Sequence, residues 1–275
     1  MNIKEALLYT QKALHDYSDS ARIDAELLVL KILNWPKSRL FSHADAVLSE
    51  SQVVSLNHFI RFRQNHVPIA YILGYKEFWS LRFDVSLATL IPRPATESLV
   101  AHILAHYTKP QCRVLDLGTG SGAIAVSLAS ERPSWDITAV DLNPAALAIA
   151  SHNATRHHCQ HIHFRQSNWF SRLAGQRFDI IISNPPYIEE QDPHLTQGDV
   201  QHEPKQALTS GENGYMDLIH LINHSQAHLN PAGVLVLEHG FQQQEQVMHY
   251  MYQAGFKHVS GHQDLDQLPR FCVAY

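Results

Sequence analysis

Arg113-Val114-Leu115-Asp116-Leu117-Gly118-Thr119-Gly120-Ser121-Gly122-Ala123 is the stretch on which the fold turns. An apolar run of strand length ends in three alternating glycines, and a helical pattern follows to Ser130. Glycines there permit a tight turn and close backbone approach to a ligand, while the helix N-terminus presents unpaired N–H groups. Working outward, further strand-like runs fall at Ile137 to Leu142, His161 to Phe164, Phe178 to Ser183, Val234 to Glu238, Phe256 to Val259 and Phe271 to Tyr275, with helical patterns between most of them. Such alternation predicts an α/β architecture, a doubly wound sheet of seven strands covered on both faces. Ligands of such sheets sit at the carboxyl ends of the strands, so chemistry is to be sought just after them.

The glycine run alone is ambiguous, because Gly118-x-Gly120-x-x-Ala123 also satisfies a dinucleotide-binding pattern. Asp116 argues against a dinucleotide: its carboxylate would repel a pyrophosphate but suits an ammonium group, as on an amino-acid-bearing cofactor. Asp141, ending the second strand, is placed to accept ribose hydroxyl hydrogens, which either ligand would offer. Asn143-Pro144 behind it reads as a helix cap and first turn.

Asn184-Pro185-Pro186-Tyr187 follows directly on the apolar strand Phe178 to Ser183. Two prolines make the strand end rigid, and Pro185 keeps a carbonyl acceptor without a donor. An incoming NH2 group can give one hydrogen to the Asn184 side-chain oxygen and one to a main-chain carbonyl, leaving its nitrogen turned toward an electrophile. Amide and aromatic amine nitrogens are weak nucleophiles, and positioning supplies roughly 7 to 11 kcal/mol to well-oriented pairs. Tyr187 is expected to pack flat against the planar group. No general base is evident.

Before residue 65 the apolar residues recur at helical spacing: Ile3, Ala6, Leu7 and Leu14, then Ile23, Leu27, Leu30 and Ile32, then Val53, Leu56, Phe59 and Ile60. Three or four short helices are expected, punctuated by Pro36 and Pro68. From Trp79 to Val85 apolar and polar residues alternate as in a strand or hairpin. Pro92 and Pro94 mark the domain junction. The expected division is a helical domain over 1–85, with a connector hairpin near 76–90, and a catalytic domain over 91–275.

The net charge of -5 and sequence pI near 6.5 give no general attraction for phosphate backbones, so direct nucleic-acid binding is not expected. The N-terminus lacks a signal-peptide core, and no run approaches the ~18 apolar residues of a membrane span. Cytoplasmic residence is expected, with Cys112, Cys159 and Cys272 as reduced thiols. His157, His158, Cys159, His161 and His163 crowd one short segment, whereas structural zinc draws ligand pairs from two; a surface turn is expected there and no metal.

Asp116 to Gly122 together with Asn184 to Tyr187 resembles the amino-methyltransferases that act on nucleic-acid adenine or on protein glutamine. With Ile91-Pro92-Arg93-Pro94, Thr96-Glu97, Ser167-Asn168-Trp169-Phe170, Ile188, Glu203-Pro204 and Leu237-Glu238-His239-Gly240, the chain resembles over its whole length the peptide chain release factor glutamine methyltransferases. The resemblance implies a Rossmann-like domain that transfers a methyl group from S-adenosylmethionine to the glutamine of a Gly-Gly-Gln loop in class I release factors, in translation termination, by a monomer. It implies cofactor contacts at Asp116, Gly118, Thr119, Gly120, Ser121, Gly122, Asp141, Asn168, Trp169 and Asn184. Substrate would be held by Asn184, Pro185, Pro186 and Tyr187, with Asn184, Pro185 and Tyr187 catalytic. The family often has an acidic residue where this chain has Ala95 and aspartate where it has Asn168. The alternative reading is a nucleic-acid amino-group methyltransferase of the adenine N6 type; a third is a catalytically silent cofactor-binding partner.

Overall fold

The computed structural model describes residues 1–211 and 213–275. It divides into two compact units, 1–75 with 193–202, and 76–192 with 203–275. The hairpin expected to close the helical domain thus groups almost wholly with the second unit, and a ten-residue segment from far along the chain groups with the first.

Among its described residues the first unit has five α-helices: α1 (Ile3–Leu14), α2 (Ala21–Leu33), α3 (Lys37–Ser42), α4 (Glu50–Gln64) and α5 (Ile69–Leu73). Reciprocal caps start two of them. The Asn2 side chain accepts from the Glu5 amide at 2.8 Å while the Glu5 carboxylate accepts from the Asn2 amide at 2.9 Å. Ser49 and Gln52 do the same for α4. Ile3, Leu14, Leu28, Leu40, Leu56 and Ile60 form the core. In α2 the buried face is Ala21, Asp24, Ala25, Leu28 and Val29, not the expected stripe, and Ile23 is 58% exposed. Apolar residues encircle this helix from Leu27 to Leu30, so a polar contact selects the inward face. Asp24 accepts from Arg63 Nε at 2.7 Å and from the hydroxyls of Ser18 and Ser20 at 2.7 and 3.1 Å. Arg63 also donates to Asp199, and His202 meets the Asn65 carbonyl at 2.8 Å, which fastens the 193–202 segment within this unit.

The second unit opens with β1 (Tyr75–Phe78) and β2 (Leu81–Asp84). The alternating run from Trp79 does not form one strand. Trp79 and Ser80, at φ 52° and 57°, make the two-residue turn whose twist suits a hairpin. Its strain is offset by donation from the Trp79 amide to Glu97 and from its indole to Glu131, at 2.8 and 2.9 Å. After α6 (Glu97–His106) come β3 (Arg113–Leu117), α7 (Ala123–Glu131), β4 (Asp136–Asp141), α8 (Pro144–Arg156), β5 (His163–Gln166) and β6 (Phe178–Ser183). Then follow α9 (Met216–Ser225), β7 (Leu229–Glu238), α10 (Gln244–Gln253), β8 (Val259–Gln263) and β9 (Pro269–Ala274).

The seven-stranded sheet runs β5-β4-β3-β6-β7-β9-β8. Its first five members are parallel; β9 is antiparallel to both neighbours. Successive strand residues feed opposite faces: Val114, Ile180, Ile182 and Val236 pack on one side, and Leu115, Leu117, Ile181 and Leu237 on the other. β8 lies further along the chain than the expected Phe256 to Val259, because Gly255 at φ 98° ends α10 and Phe256 turns into the core. The chain order reverses between β3 and β6, where Leu117 pairs with Ser183 and the Ser183 hydroxyl donates to the Leu117 carbonyl at 2.6 Å. The residues after these partners, Gly118 and Asn184, therefore start side by side at the switch point.

Candidate active site

A cavity of about 260 Å³ opens at that edge of the second unit, lined by Gly118 to Ser121, Asp141 to Asn143, Ser167 to Trp169, Asn184 and Pro186, with Leu90, Pro92, Arg93 and Thr96 across from them. The glycine loop bends over the end of β4, the amides of Gly118 and Thr119 both donating to the Val140 carbonyl at 2.9 Å. Gly118 has φ 72°, and a Cβ there would stand 3.2 Å from the Trp169 indole, so only glycine leaves the groove open. Asn153 of α8 is wholly buried and donates to the Ser121 carbonyl at 2.9 Å, bracing the loop from behind.

Asp141 lies in the cavity wall. One carboxylate oxygen accepts from the Gly120 amide at 2.8 Å and the other from Asn143 at 2.9 Å. Each oxygen keeps lone-pair capacity for ribose hydroxyls. Partial burial raises its pKa, while these amide donors oppose the rise. Trp169 sits at φ 48°, a costly conformation for a bulky residue, and is held by the Ser167 hydroxyl on its carbonyl at 2.7 Å and by its indole donating to Asp217 at 3.0 Å. Exposed Asn168 joins the same wall.

Asn184 sits half-buried at the inner end. Its Nδ2 donates to Thr96 Oγ1 at 3.1 Å, so its carbonyl oxygen is the edge left to receive a donor. Thr96 in turn donates to Glu238 at 2.6 Å, and the Tyr187 hydroxyl donates to the other Glu238 oxygen at 3.1 Å. Glu238, fully buried at the end of β7, is pushed up to about 7 by that burial.

The chemistry on this wall is that of a small polar ligand beside an acceptor for NH2, in a sheet with a characteristic strand order, and known proteins match it. Residues 93–216 match the family model described as methyltransferase small domain, and residues 5–74 the PrmC N-terminal domain. The release factor glutamine methyltransferase of Salmonella typhimurium is 47% identical over 242 residues, 88% of this chain and 87% of that protein. That of Shewanella oneidensis is 43% identical over 258 residues, 94% and 90% of the two chains. The chain belongs to the release factor glutamine methyltransferase family. Among solved structures, a methyltransferase from Pyrococcus furiosus shares the fold at TM-score 0.53, 17% identity, 70% of this chain and 88% of that one. SMU.776, complexed with SAH, does so at TM-score 0.51 and 13% identity, over 73% of this chain and 55% of that one.

Several residues expected at the site stand behind this family member's cavity instead of in its wall. Asp116 is wholly buried and accepts from the Thr119 hydroxyl at 2.6 Å, so it shapes the loop; burial pushes it up to about 7. Gly122 packs against Ala150 of α8. Pro185 is buried, and the Tyr187 hydroxyl is anchored to Glu238. Sequence reasoning assigned no role to Thr96, Asp217 or Glu238. Glu238 carried a signal: a carboxylate ending an apolar strand of a doubly wound sheet lies at the ligand edge. The histidine-rich turn disperses its groups, His157 to the Arg82 carbonyl and Cys159 into the core. No group of three or more metal-ligating side chains is gathered among the described residues, and no described helix is long and apolar enough to cross a membrane.

Proposed function

We propose that this chain is a cytoplasmic, monomeric enzyme that uses S-adenosylmethionine to methylate the side-chain amide nitrogen of the Gly-Gly-Gln glutamine in class I release factors. The observation that carries the reading is the fixed amide of Asn184, whose oxygen is directed to receive an NH2 group beside a groove of cofactor size. S-adenosylmethionine, when bound, supplies an electrophilic methyl group. Asp141 would accept its ribose hydroxyls, the Gly118 to Ser121 turn would admit its extended body, and Asn168 and Trp169 would flank its base. The residues present fit such a group, since the Gly118 position is kept free of a side chain that would meet Trp169.

Asn184 and a neighbouring main-chain carbonyl take the two hydrogens of the glutamine amide. The lone pair then faces the methyl group, and both acceptors strengthen as positive charge develops on nitrogen. These contacts recognise an amide but not which glutamine carries it, so discrimination needs a second surface. The helical unit, which carries no reactive site, is the proposed docking arm. The test is incubation of the purified chain with labelled S-adenosylmethionine and a folded release factor, with mass spectrometry of the product. One methyl group on the Gly-Gly-Gln glutamine is expected; methylation of adenine in DNA or RNA with none on the release factor would overturn the reading.

A further inference from the structure

Three observations converge behind Asn184. Glu238 is 1% exposed, yet its two oxygens are occupied by hydroxyls that each own a single hydrogen, Thr96 at 2.6 Å and Tyr187 at 3.1 Å. Thr96 is itself 4% exposed, and a lone pair of its hydroxyl oxygen accepts from Asn184 Nδ2 at 3.1 Å. The four groups come from three separate places in the chain: the turn Pro94–Thr96, the loop after β6 and the end of β7.

We propose that Glu238 is a positioning residue for methyl transfer, which acts through Thr96 to fix which edge of the Asn184 amide faces the reacting nitrogen. This deepens the function proposed above and rests on its assignment of Asn184 as the NH2 acceptor. A carboxylate only accepts, so the Thr96 hydrogen is committed to Glu238 and the Thr96 oxygen can only accept from its other neighbour. Asn184 must then present its NH2 to Thr96 and its oxygen to the cavity. Replace the carboxylate by a group that also donates, and the chain can reverse: the Thr96 hydrogen turns to the Asn184 oxygen, and two NH2 groups confront each other at the reacting centre.

The charged and titratable groups facing Glu238 are Tyr187, whose pKa burial and the carboxylate raise, and the guanidinium groups of Arg270 and Arg93, which favour the ionised carboxylate. Next along the chain, just past the end of β7, buried His239 is engaged with the Gly240 carbonyl and the Cys272 thiol. The balance leaves Glu238 titrating at about 7, so the relay predicts an acid limb in kcat that belongs to this residue.

The test uses the full chain with Glu238→Gln, Thr96→Val, Thr96→Ser and the Glu238→Gln/Thr96→Val pair. S-adenosylhomocysteine binding by calorimetry reports an intact groove. Glu238→Gln is expected to lower kcat by roughly 10- to 100-fold, the size of one misdirected hydrogen bond, and to abolish the acid limb without altering S-adenosylhomocysteine binding. Thr96→Val should fall comparably, Thr96→Ser should recover most of that loss, and the pair should be no slower than either single variant because the residues act as one unit. Near-wild-type kcat in a Glu238→Gln protein that binds S-adenosylhomocysteine, or multiplicative losses in the pair, would overturn the proposal. Should Glu238→Gln not bind, equal rates for Thr96→Ser and Thr96→Val overturn it. All rates are read on whichever acceptor the wild type methylates. A switch of that acceptor from glutamine to adenine therefore sinks the substrate assignment alone, while the relay is still read.

Discussion

Asp116 shows how much a single buried carboxylate can weigh on this protein. It is fully buried and pushed up to about 7, chiefly by loss of solvation, with the Thr119 hydroxyl opposing. Its folded pKa thus exceeds its unfolded value near 3.9. Between those values the folded state holds a proton that the unfolded state has released, so stability falls as pH rises through this window, by about 1.4 kcal/mol per unit at most. Above about 7 the loss is complete. Asp116→Asn keeps an acceptor for Thr119 without the charge, so its melting temperature relative to wild type should climb from pH 5 to about pH 7 and level off above it. A difference that is flat in pH would refute the burial argument. In the cavity wall the expectations separate by role. Asn184→Ala should abolish turnover and spare most cofactor binding, measured by rate and calorimetry together. Asp141→Ala should weaken S-adenosylmethionine by roughly 1.5 to 3 kcal/mol, the range for hydrogen bonds to a charged group, and an unchanged dissociation constant would place the ribose elsewhere.

The unit from β3 through the loop into α7 behaves as one element whose glycines do different jobs. At Gly120 a Cβ would meet nothing within 4 Å, though φ is 55°. At Gly122, with φ 83°, it would stand 3.1 and 3.2 Å from Ala150 Cβ and Cα, so both strain and crowding arise where α7 meets α8. Gly122→Ala should therefore lower the ligand-free melting temperature more than Gly120→Ala, whose cost is about 1 to 2 kcal/mol of left-handed strain. Gly120→Ala, in the cavity wall, should weaken the cofactor more. The reverse order in both measurements would show that the two glycines had been assigned to the wrong roles. The limits of β3 and β6 were legible because each apolar run stops at a residue that cannot continue it, glycine in one case and an Asn-Pro pair in the other. The hairpin turn at Trp79 and Ser80 was not, because its alternation continues unbroken and the Trp79 contacts that brace the turn reach Glu97 and Glu131, far along the chain.

For the molecule as a whole, the two compact units predict separable unfolding. Arg63 is the test, since its side chain is 8% exposed and pairs with Asp24, at 3%, and with Asp199 inside the first unit. Removing one partner of a buried pair strands the other charge, at about 3 to 5 kcal/mol. Arg63→Met should lower one calorimetric transition and leave a second, cofactor-stabilised transition in place; a single transition shifted as a whole would show that the units melt together. What the sequence by itself determined was everything written in short-range pattern: the α/β class, the helical N-terminal region, the glycine turn after one strand and the Asn-Pro-Pro-Tyr platform after another. These follow from backbone freedom and hydrophobic period, which act over a few residues. Only the tertiary structure decided that Asp116 stands behind the cavity, that α2 buries Asp24, and that Asn184 is oriented by Thr96 and Glu238. Those partners lie 88 residues apart for Asn184 and Thr96 and 142 for Thr96 and Glu238. A hydrogen bond across such a separation leaves no local period in the chain, because the sheet, and not the neighbouring sequence, brings donor to acceptor.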